Sequence, residues 1–150
     1  TFNINSQNPA VQGRILRIRT GEICSLMNTS VENWTGTVTK IATNEDGWGR
    51  LEINIGGNIE LHTNANIFTN YGNNTLIDPA SSLFTDYMYF KSGDKIKFSG
   101  SFFRDSRERG TCLELLNGTL EGRVLRPKYL FRFTQVEKIT GTISTGGPPN

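Results

Sequence analysis

Two stretches of alternating apolar and polar residues, separated by a tight glycine turn, constrain the fold of this chain more than any other feature. The apolar positions are Leu51, Ile53, Ile55, Ile59 and Leu61, and the polar positions among them are Arg50, Glu52, Asn54, Glu60 and His62. The turn between the two stretches is Gly56-Gly57-Asn58. Because successive side chains of a strand point to opposite faces, the pattern predicts a β-hairpin with one buried face.

Most of the remaining chain also has the pattern of strands separated by turns. Strands are predicted at residues 34–43, 95–103, 112–116 and 129–137, where β-branched and aromatic residues recur or alternate with polar ones. Asp78 followed by Pro79 is a helix start signal, and the apolar spacing after it predicts one short helix at about residues 79–90. Residues 9–27 fit either a short helix or a strand.

The order of these elements favours a small closed barrel over a sandwich, because closure leaves few exposed edges for so many short strands. The predicted fold class is therefore all-β with one short helix. A length of 150 residues fits one domain. We expect residues 1–30 to form an N-terminal arm or short helix, residues 31–140 to form the barrel, and residues 141–150 to be a flexible tail.

The composition excludes several functional classes. No stretch approaches the roughly 18 consecutive apolar residues that a membrane span needs. His62 is the only histidine, and no nucleophile motif or phosphate-binding glycine loop accompanies it, so we expect no enzymatic activity and no cofactor. We interpret Glu52 and Glu60 as a solvated pair on the hairpin.

Cys24 and Cys112 are the only cysteines. Together with one histidine they cannot build the usual four-ligand structural zinc site, so we expect no metal. We favour two buried free thiols, since free cysteine packs as a small hydrophobic residue, and a disulfide stays open if the compartment is oxidising.

Two segments resemble an OB-fold domain. They read Trp34-Thr35-Gly36-Thr37-Val38-Thr39-Lys40-Ile41 and, after the hairpin, Gly93-Asp94-Lys95-Ile96-Lys97-Phe98-Ser99-Gly100. The likeness is to the nucleic-acid-binding, tRNA-anticodon-domain-like group of bacterial OB proteins, whose first strand often reads W-x-G-x-V and whose fourth often reads G-D-x-V-x-F/V-x-G. It covers about residues 31–117. The resemblance implies a five-stranded Greek-key barrel, to which the predicted C-terminal strand would be an addition.

The resemblance also implies where a ligand would bind, namely on the outer face of the second and third strands and on the loops after the first and fourth. The loop after the fourth predicted strand contains Arg104, Arg107 and Arg109, whose planar guanidinium groups suit phosphates. The same loop contains acidic residues that could pair with these arginines. The further candidate nucleic-acid-binding residues are Lys97 on the fourth strand, and Trp48 and Tyr71 as stacking platforms for bases.

The net charge of +2 conceals an uneven distribution. Residues 91–138 carry 11 Lys or Arg against 6 Asp or Glu, whereas residues 1–60 carry 5 against 6. A basic second half favours an anionic ligand. Against this, the outward carboxylates of Glu52 and Glu60 would repel phosphate.

Two hypotheses follow. The first is a non-catalytic OB-fold binding module for single-stranded nucleic acid. The alternative is an extracytoplasmic domain, periplasmic or secreted, that holds a protein partner on the barrel surface; the Asn- and Thr-rich surface and the acidic hairpin favour it. We favour an extracytoplasmic location, because a chain that begins at Thr1 fits removal of a signal peptide.

Overall fold

The computed structural model describes Ala10 and residues 28–63, 75–105 and 112–140. Five strands and two short helices lie in these ranges. In chain order they are β1 (Ser30–Thr43), β2 (Gly49–Asn54), β3 (Glu60–His62), α1 (Ser82–Tyr87), β4 (Lys95–Phe102), α2 (Leu120–Leu125) and β5 (Lys128–Lys138).

The five strands close into a barrel in the order β1-β2-β3-β5-β4, with β4 returning to β1. All neighbouring strands are antiparallel except β3 and β5, which run parallel. The prediction of an all-β, OB-like five-stranded barrel is therefore confirmed.

The predicted hairpin is present as β2 and β3. Its register places Glu52 opposite His62, Ile53 opposite Leu61 and Asn54 opposite Glu60. Leu61 and Ile53 are fully buried. The alternation in the sequence therefore corresponds to one wall of the barrel, with its apolar side inward.

The strands of the C-terminal half differ from the prediction. Residues 112–116 form no strand and make only isolated bridges, between Leu113 and Arg104 and between Leu115 and Tyr129. The C-terminal strand is not an addition to a complete barrel: as β5 it is the fifth barrel strand and pairs with both β3 and β4. Over its 11 residues it pairs along one edge with β3 and along the other with β4, which closes the barrel.

Both helices are short. α1 lies within the predicted 79–90 range but starts later, because Asp78 first forms a turn in which its Oδ1 accepts a hydrogen bond from the Ala80 backbone at 2.8 Å. α2 was not predicted. Its N-cap is Thr119, whose hydroxyl oxygen accepts a hydrogen bond from the Gly122 backbone at 3.0 Å.

The barrel interior is filled with aliphatic and aromatic side chains. The buried core residues are Val38, Leu51, Ile53, Leu61, Ile77, Tyr87, Phe90, Ile96, Phe98, Phe102, Phe131, Phe133 and Val136. The Phe131 ring contacts those of Phe98, Phe102 and Phe133 edge-to-face, at centroid distances of 5.5, 5.0 and 4.9 Å. Such aromatic contacts add to the stabilisation that burial alone provides.

Tyr87 joins α1 to the barrel. Its hydroxyl lies 2.6 Å from the Ala42 carbonyl oxygen on β1 and 2.9 Å from that of Arg50 on β2. Its ring covers Gly49, where a Cβ atom would lie 2.5 Å from a ring carbon, so only glycine fits under it. Burial raises the pKa of the Tyr87 phenol above its ordinary value.

Candidate functional site

The outward side of β2 and β3, which we call the hairpin face, is polar and charged. It consists of Arg50, Glu52, Asn54, Glu60 and His62. These residues point outward because they alternate with fully buried residues that point into the barrel. The hairpin face is also where the OB resemblance places a ligand.

Three residues of the hairpin face converge to form what we call the Glu–His cluster. His62 Nε2 lies 2.9 Å from Glu60 Oε1 and 3.6 Å from Glu52 Oε1. One donor atom from each of the three side chains lies within 4.8 Å of the other two. The side chains of Glu52, Glu60 and His62 are 17%, 27% and 11% exposed. The two carboxylates are therefore not the solvated pair that the sequence suggested, because a largely buried imidazole lies between them.

Arg50 borders this cluster. Its Nη2 lies 3.8 Å from Glu52 Oε2, the carboxylate oxygen other than the one nearest His62. Its Nε is buried and has no hydrogen-bond partner within the part of the chain that the structure describes. The guanidinium thus partly balances one carboxylate from outside the cluster.

Of the residues predicted to bind nucleic acid, the three that the structure describes, Arg104, Lys97 and Trp48, lie on different elements of the fold. Arg104 is exposed and bridges to Leu113, whereas Lys97 lies on β4 and forms an ion pair with Glu137 at 3.5 Å. Trp48 is half-buried in the turn between β1 and β2, where its backbone N–H donates to Asn44 Oδ1 at 2.9 Å. The other three candidates, Arg107, Arg109 and Tyr71, lie outside the described residues.

A cavity of about 580 Å³ adjoins Lys97 on the outside of β4 and β5. Its lining combines hydroxyl and amide side chains with three charged residues, Asp86, Lys97 and Glu137. Because Lys97 is paired with Glu137 and Asp86 adds a further negative charge, the cavity does not favour a phosphate.

Helix α2 carries an exposed apolar surface that the sequence analysis missed. The surface, which we call the α2 ridge, consists of Leu120, Val124 and Leu125, which are 70%, 69% and 57% exposed. No residue of α2 is buried. The sequence does contain a helix signal here, because Thr119 is a good N-cap residue and precedes Leu120 and Val124, which are four positions apart. Gly122 weakens this signal, since glycine disfavours helix.

Three basic residues flank the α2 ridge. They are Arg123, Arg126 and Lys128, and none of them forms an ion pair with any residue that the structure describes. The other large apolar residues that are exposed in the described ranges are Ile59, Met88 and Tyr89. Three of these exposed apolar residues, those of the α2 ridge, lie on one short helix with Arg123, Arg126 and Lys128 close by in the sequence.

Cys112 is disulfide-bonded, and Cys24 is the only other cysteine of the chain. The preference for two free thiols was therefore wrong. Cys112 precedes the segment that lies along β5, where the Leu130 backbone N–H donates to the Glu114 carbonyl oxygen at 3.0 Å. Disulfides persist mainly in oxidising compartments.

A scan of protein-family models finds no match to this chain, and a search of curated proteins finds no relative. Membership of the bacterial OB group thus stays a prediction. Among the described residues, no helix is long and apolar enough to cross a membrane.

Proposed function

We propose that this chain is a non-catalytic binding module that holds a protein partner through the α2 ridge. The exposure of Leu120, Val124 and Leu125, between 57% and 70%, is the observation that carries the proposal. Grouped apolar side chains on a surface are typical of interaction sites, because burying them against a partner removes them from water. A six-residue helix with no residue in the core contributes little packing to the barrel itself.

The charge around the ridge indicates the chemistry of the partner. Arg123, Arg126 and Lys128 have no intramolecular ion pair among the described residues, so their charges are available to a ligand. Basic residues around an apolar centre match a partner surface with acidic residues around an apolar centre. We therefore expect an acidic, apolar protein segment.

The disulfide at Cys112 supports an extracytoplasmic location, periplasmic or secreted, because reducing compartments keep thiols free. A protein partner outside the cytoplasm fits this location. The compartment and the partner class thus support the same function.

The proposal is tested by selecting peptides from a random display library on the oxidised full chain and measuring their affinity by fluorescence anisotropy. The selected peptides are expected to be rich in acidic and apolar residues. Their affinity should fall at least about tenfold for the double variant Leu120→Ser/Val124→Ser, which removes the apolar contact.

A matched control changes two exposed apolar residues elsewhere. The variant Met88→Ser/Tyr89→Ser should bind the selected peptides as the unmodified chain does, because these two exposed residues follow α1 and do not belong to the α2 ridge. Peptides that bind the α2 double variant with undiminished affinity, or that are basic, would overturn the proposal.

A second candidate function is binding of single-stranded nucleic acid, as the OB resemblance implies. The net charge of +5 between residues 91 and 138, from 11 basic and 6 acidic residues, favours it. A labelled oligothymidine titrated at about 50 and about 200 mM salt distinguishes the two functions, because phosphate contacts weaken steeply over that range. If this candidate is right, the triple variant Arg104→Ala/Arg107→Ala/Arg109→Ala binds more weakly; if a protein is the ligand, neither chain binds the oligonucleotide at the higher salt concentration.

A further inference from the structure

We propose that Glu52, Glu60 and His62 bind one divalent transition-metal ion of the zinc class. The inference concerns the hairpin face and is independent of the function proposed for α2. It rests on the convergence of one imidazole nitrogen and two carboxylates, within 4.8 Å of one another, on two paired strands. These three residues do not match a metal-binding sequence motif.

The positions of the three residues follow from the strand register. Glu52 lies directly opposite His62, and Glu60 precedes His62 by two residues, which places it on the same face of β3. The backbone of the barrel wall therefore holds all three side chains together, and no loop has to rearrange to assemble them. Preorganised donors are what a metal site requires.

The spacing of the donor atoms suits a small cation. Metal–ligand bonds of about 2.0–2.2 Å in a tetrahedral arrangement place neighbouring donor atoms about 3.3 Å apart. His62 Nε2 lies 2.9 Å from Glu60 Oε1 and 3.6 Å from Glu52 Oε1, which are values on either side of that separation. Small side-chain adjustments would bring both into range.

Hydrogen bonding within the cluster cannot satisfy both carboxylates. His62 Nε2 carries at most one proton, which Glu60 Oε1 at 2.9 Å accepts, and Glu52 Oε1 at 3.6 Å is beyond hydrogen-bond distance. The nearby guanidinium of Arg50 approaches Glu52 only through the other oxygen, at 3.8 Å. In the other tautomer, with the ring proton on Nδ1, the Nε2 lone pair faces both carboxylates, and a cation bound between the three groups would stabilise that arrangement.

The donor set also indicates the class of metal. Imidazole nitrogen is a good ligand for zinc and neighbouring transition metals, whereas magnesium and calcium prefer oxygen alone. The His62 side chain is only 11% exposed, so little water competes for the imidazole. Three protein ligands would leave a coordination position for water or a ligand group, as in three-ligand zinc sites.

The test is a titration of the full oxidised chain, without any affinity tag, with Zn²⁺ by calorimetry and with Co²⁺ by visible absorption. We expect saturable binding of one ion per chain and no competition from Mg²⁺. Each of the variants His62→Gln and Glu60→Gln should lower the Zn²⁺ affinity at least about tenfold, since loss of even an outer-shell group costs that much.

Two further variants make the assignment specific. Glu137→Gln removes an exposed carboxylate that pairs with Lys97 at 3.5 Å, and it should leave Zn²⁺ affinity unchanged. Arg50→Gln removes the positive charge 3.8 Å from Glu52 and should raise the affinity, because that charge repels the ion. Thermal unfolding in EDTA shows that each variant is folded before titration, and Glu52→Gln replaces His62→Gln if the latter does not fold.

Absence of saturable Zn²⁺ binding by the folded, unmodified chain would overturn the proposal. Zn²⁺ binding that is unchanged in Glu60→Gln and also in His62→Gln, or in the Glu52→Gln variant that replaces it, would overturn the proposal as well, because the ion would then lie elsewhere. The peptide affinity of the α2 ridge is measured separately, so failure of one assignment leaves the other intact.

Discussion

The hairpin face and the α2 ridge both lie on the outside of the barrel, but the structure holds them in different ways. On the hairpin face, outward residues alternate with Leu51, Ile53 and Leu61, which have no exposed surface, so the barrel core fixes their positions. In α2 no residue is buried. The barrel wall can therefore hold side chains at the fixed distances that a binding site for an ion needs. An exposed apolar helix is instead suited to being buried against a partner.

Polar contacts at its base, rather than core packing, hold α2 in place. Asn117 donates from its side-chain nitrogen to the Arg126 carbonyl oxygen at 3.1 Å and accepts from the Lys128 backbone at 2.8 Å. With the Thr119 cap, these bonds span both ends of the helix. The ridge is therefore anchored at its base while its apolar side chains face the solvent.

The largest expected effect comes from Leu61→Ala, which creates a cavity directly beneath the Glu–His cluster. Leu61 is fully buried on β3, between two cluster residues, so the free energy of unfolding should fall by about 2–5 kcal/mol in chemical denaturation. Zn²⁺ affinity should fall as well, because β3 positions Glu60 and His62. Ile59→Ala, at a position that is 38% exposed, is the control and should change stability far less. Unchanged Zn²⁺ affinity in folded Leu61→Ala would show that the cluster does not depend on the barrel wall.

The same alternation explains why this half of the molecule was predictable. One buried face imposes a period of two, and a short turn fixes the register, so the hairpin sequence indicates which residues share a face. The pairing of Glu52 with His62 follows from that register. What the sequence does not contain is the orientation of the imidazole, and the two carboxylates therefore looked like a solvated pair.

The other half depends on contacts that are remote in sequence. The β5 strand closes the barrel by parallel pairing with β3, which no local pattern encodes. The sequence therefore predicts residues 112–116 as the fifth strand and the C-terminal strand as an addition. Helix α2 has six residues and no core position, so it lacks the amphipathic repeat by which longer helices are recognised. The preference for free thiols was wrong for a similar reason, since the spacing of two cysteines in the sequence does not give their distance in the fold.

A smaller effect is expected for Tyr87→Phe, which removes one hydroxyl from the junction of α1, β1 and β2. The carbonyl oxygens of Ala42 and Arg50, which share the single hydroxyl proton, then lose that donor, and stability at neutral pH should fall by about 1–3 kcal/mol. Because the Tyr87 hydroxyl contacts the backbone of Arg50, which borders the Glu–His cluster, the loss of stability should be accompanied by a modest drop in Zn²⁺ affinity. An unchanged free energy of unfolding would mean that water replaces the hydroxyl.

The same variant has a signature in the pH dependence of stability. Burial raises the pKa of Tyr87 in the folded chain above the value near 10 of an unfolded tyrosine. The folded state therefore retains the proton longer, and its stability, complete below about pH 10, falls as the pH rises through the folded pKa. Tyr129, whose pKa burial also raises, contributes in the same sense and is still present in Tyr87→Phe. Denaturant titrations across the alkaline range should show a shallower loss for the variant than for the unmodified chain.

Thr119→Ala tests how α2 is held. It removes the hydroxyl that accepts the Gly122 N–H at 3.0 Å, and loss of such a cap costs about 1 kcal/mol of helix stability. Because α2 does not contribute to the core, we expect local opening, seen as faster amide exchange in Leu120–Leu125, with little change in global unfolding. Peptide affinity should decrease while Zn²⁺ affinity stays constant. A matched loss of both would indicate that α2 and the hairpin face unfold together.

The double variant of the α2 ridge is expected to have the smallest effect on stability and the largest effect on peptide binding. Leu120→Ser/Val124→Ser changes two residues that are 70% and 69% exposed, so the free energy of unfolding should stay within about 0.5 kcal/mol for each substitution. Nearly all of the apolar area that these side chains present to water is available to a partner, which is why peptide binding should be lost while the fold and the Zn²⁺ affinity remain. A drop in stability of several kcal/mol, measured by chemical denaturation, would mean that the ridge packs against the barrel, and the contrast with the hairpin face would then disappear.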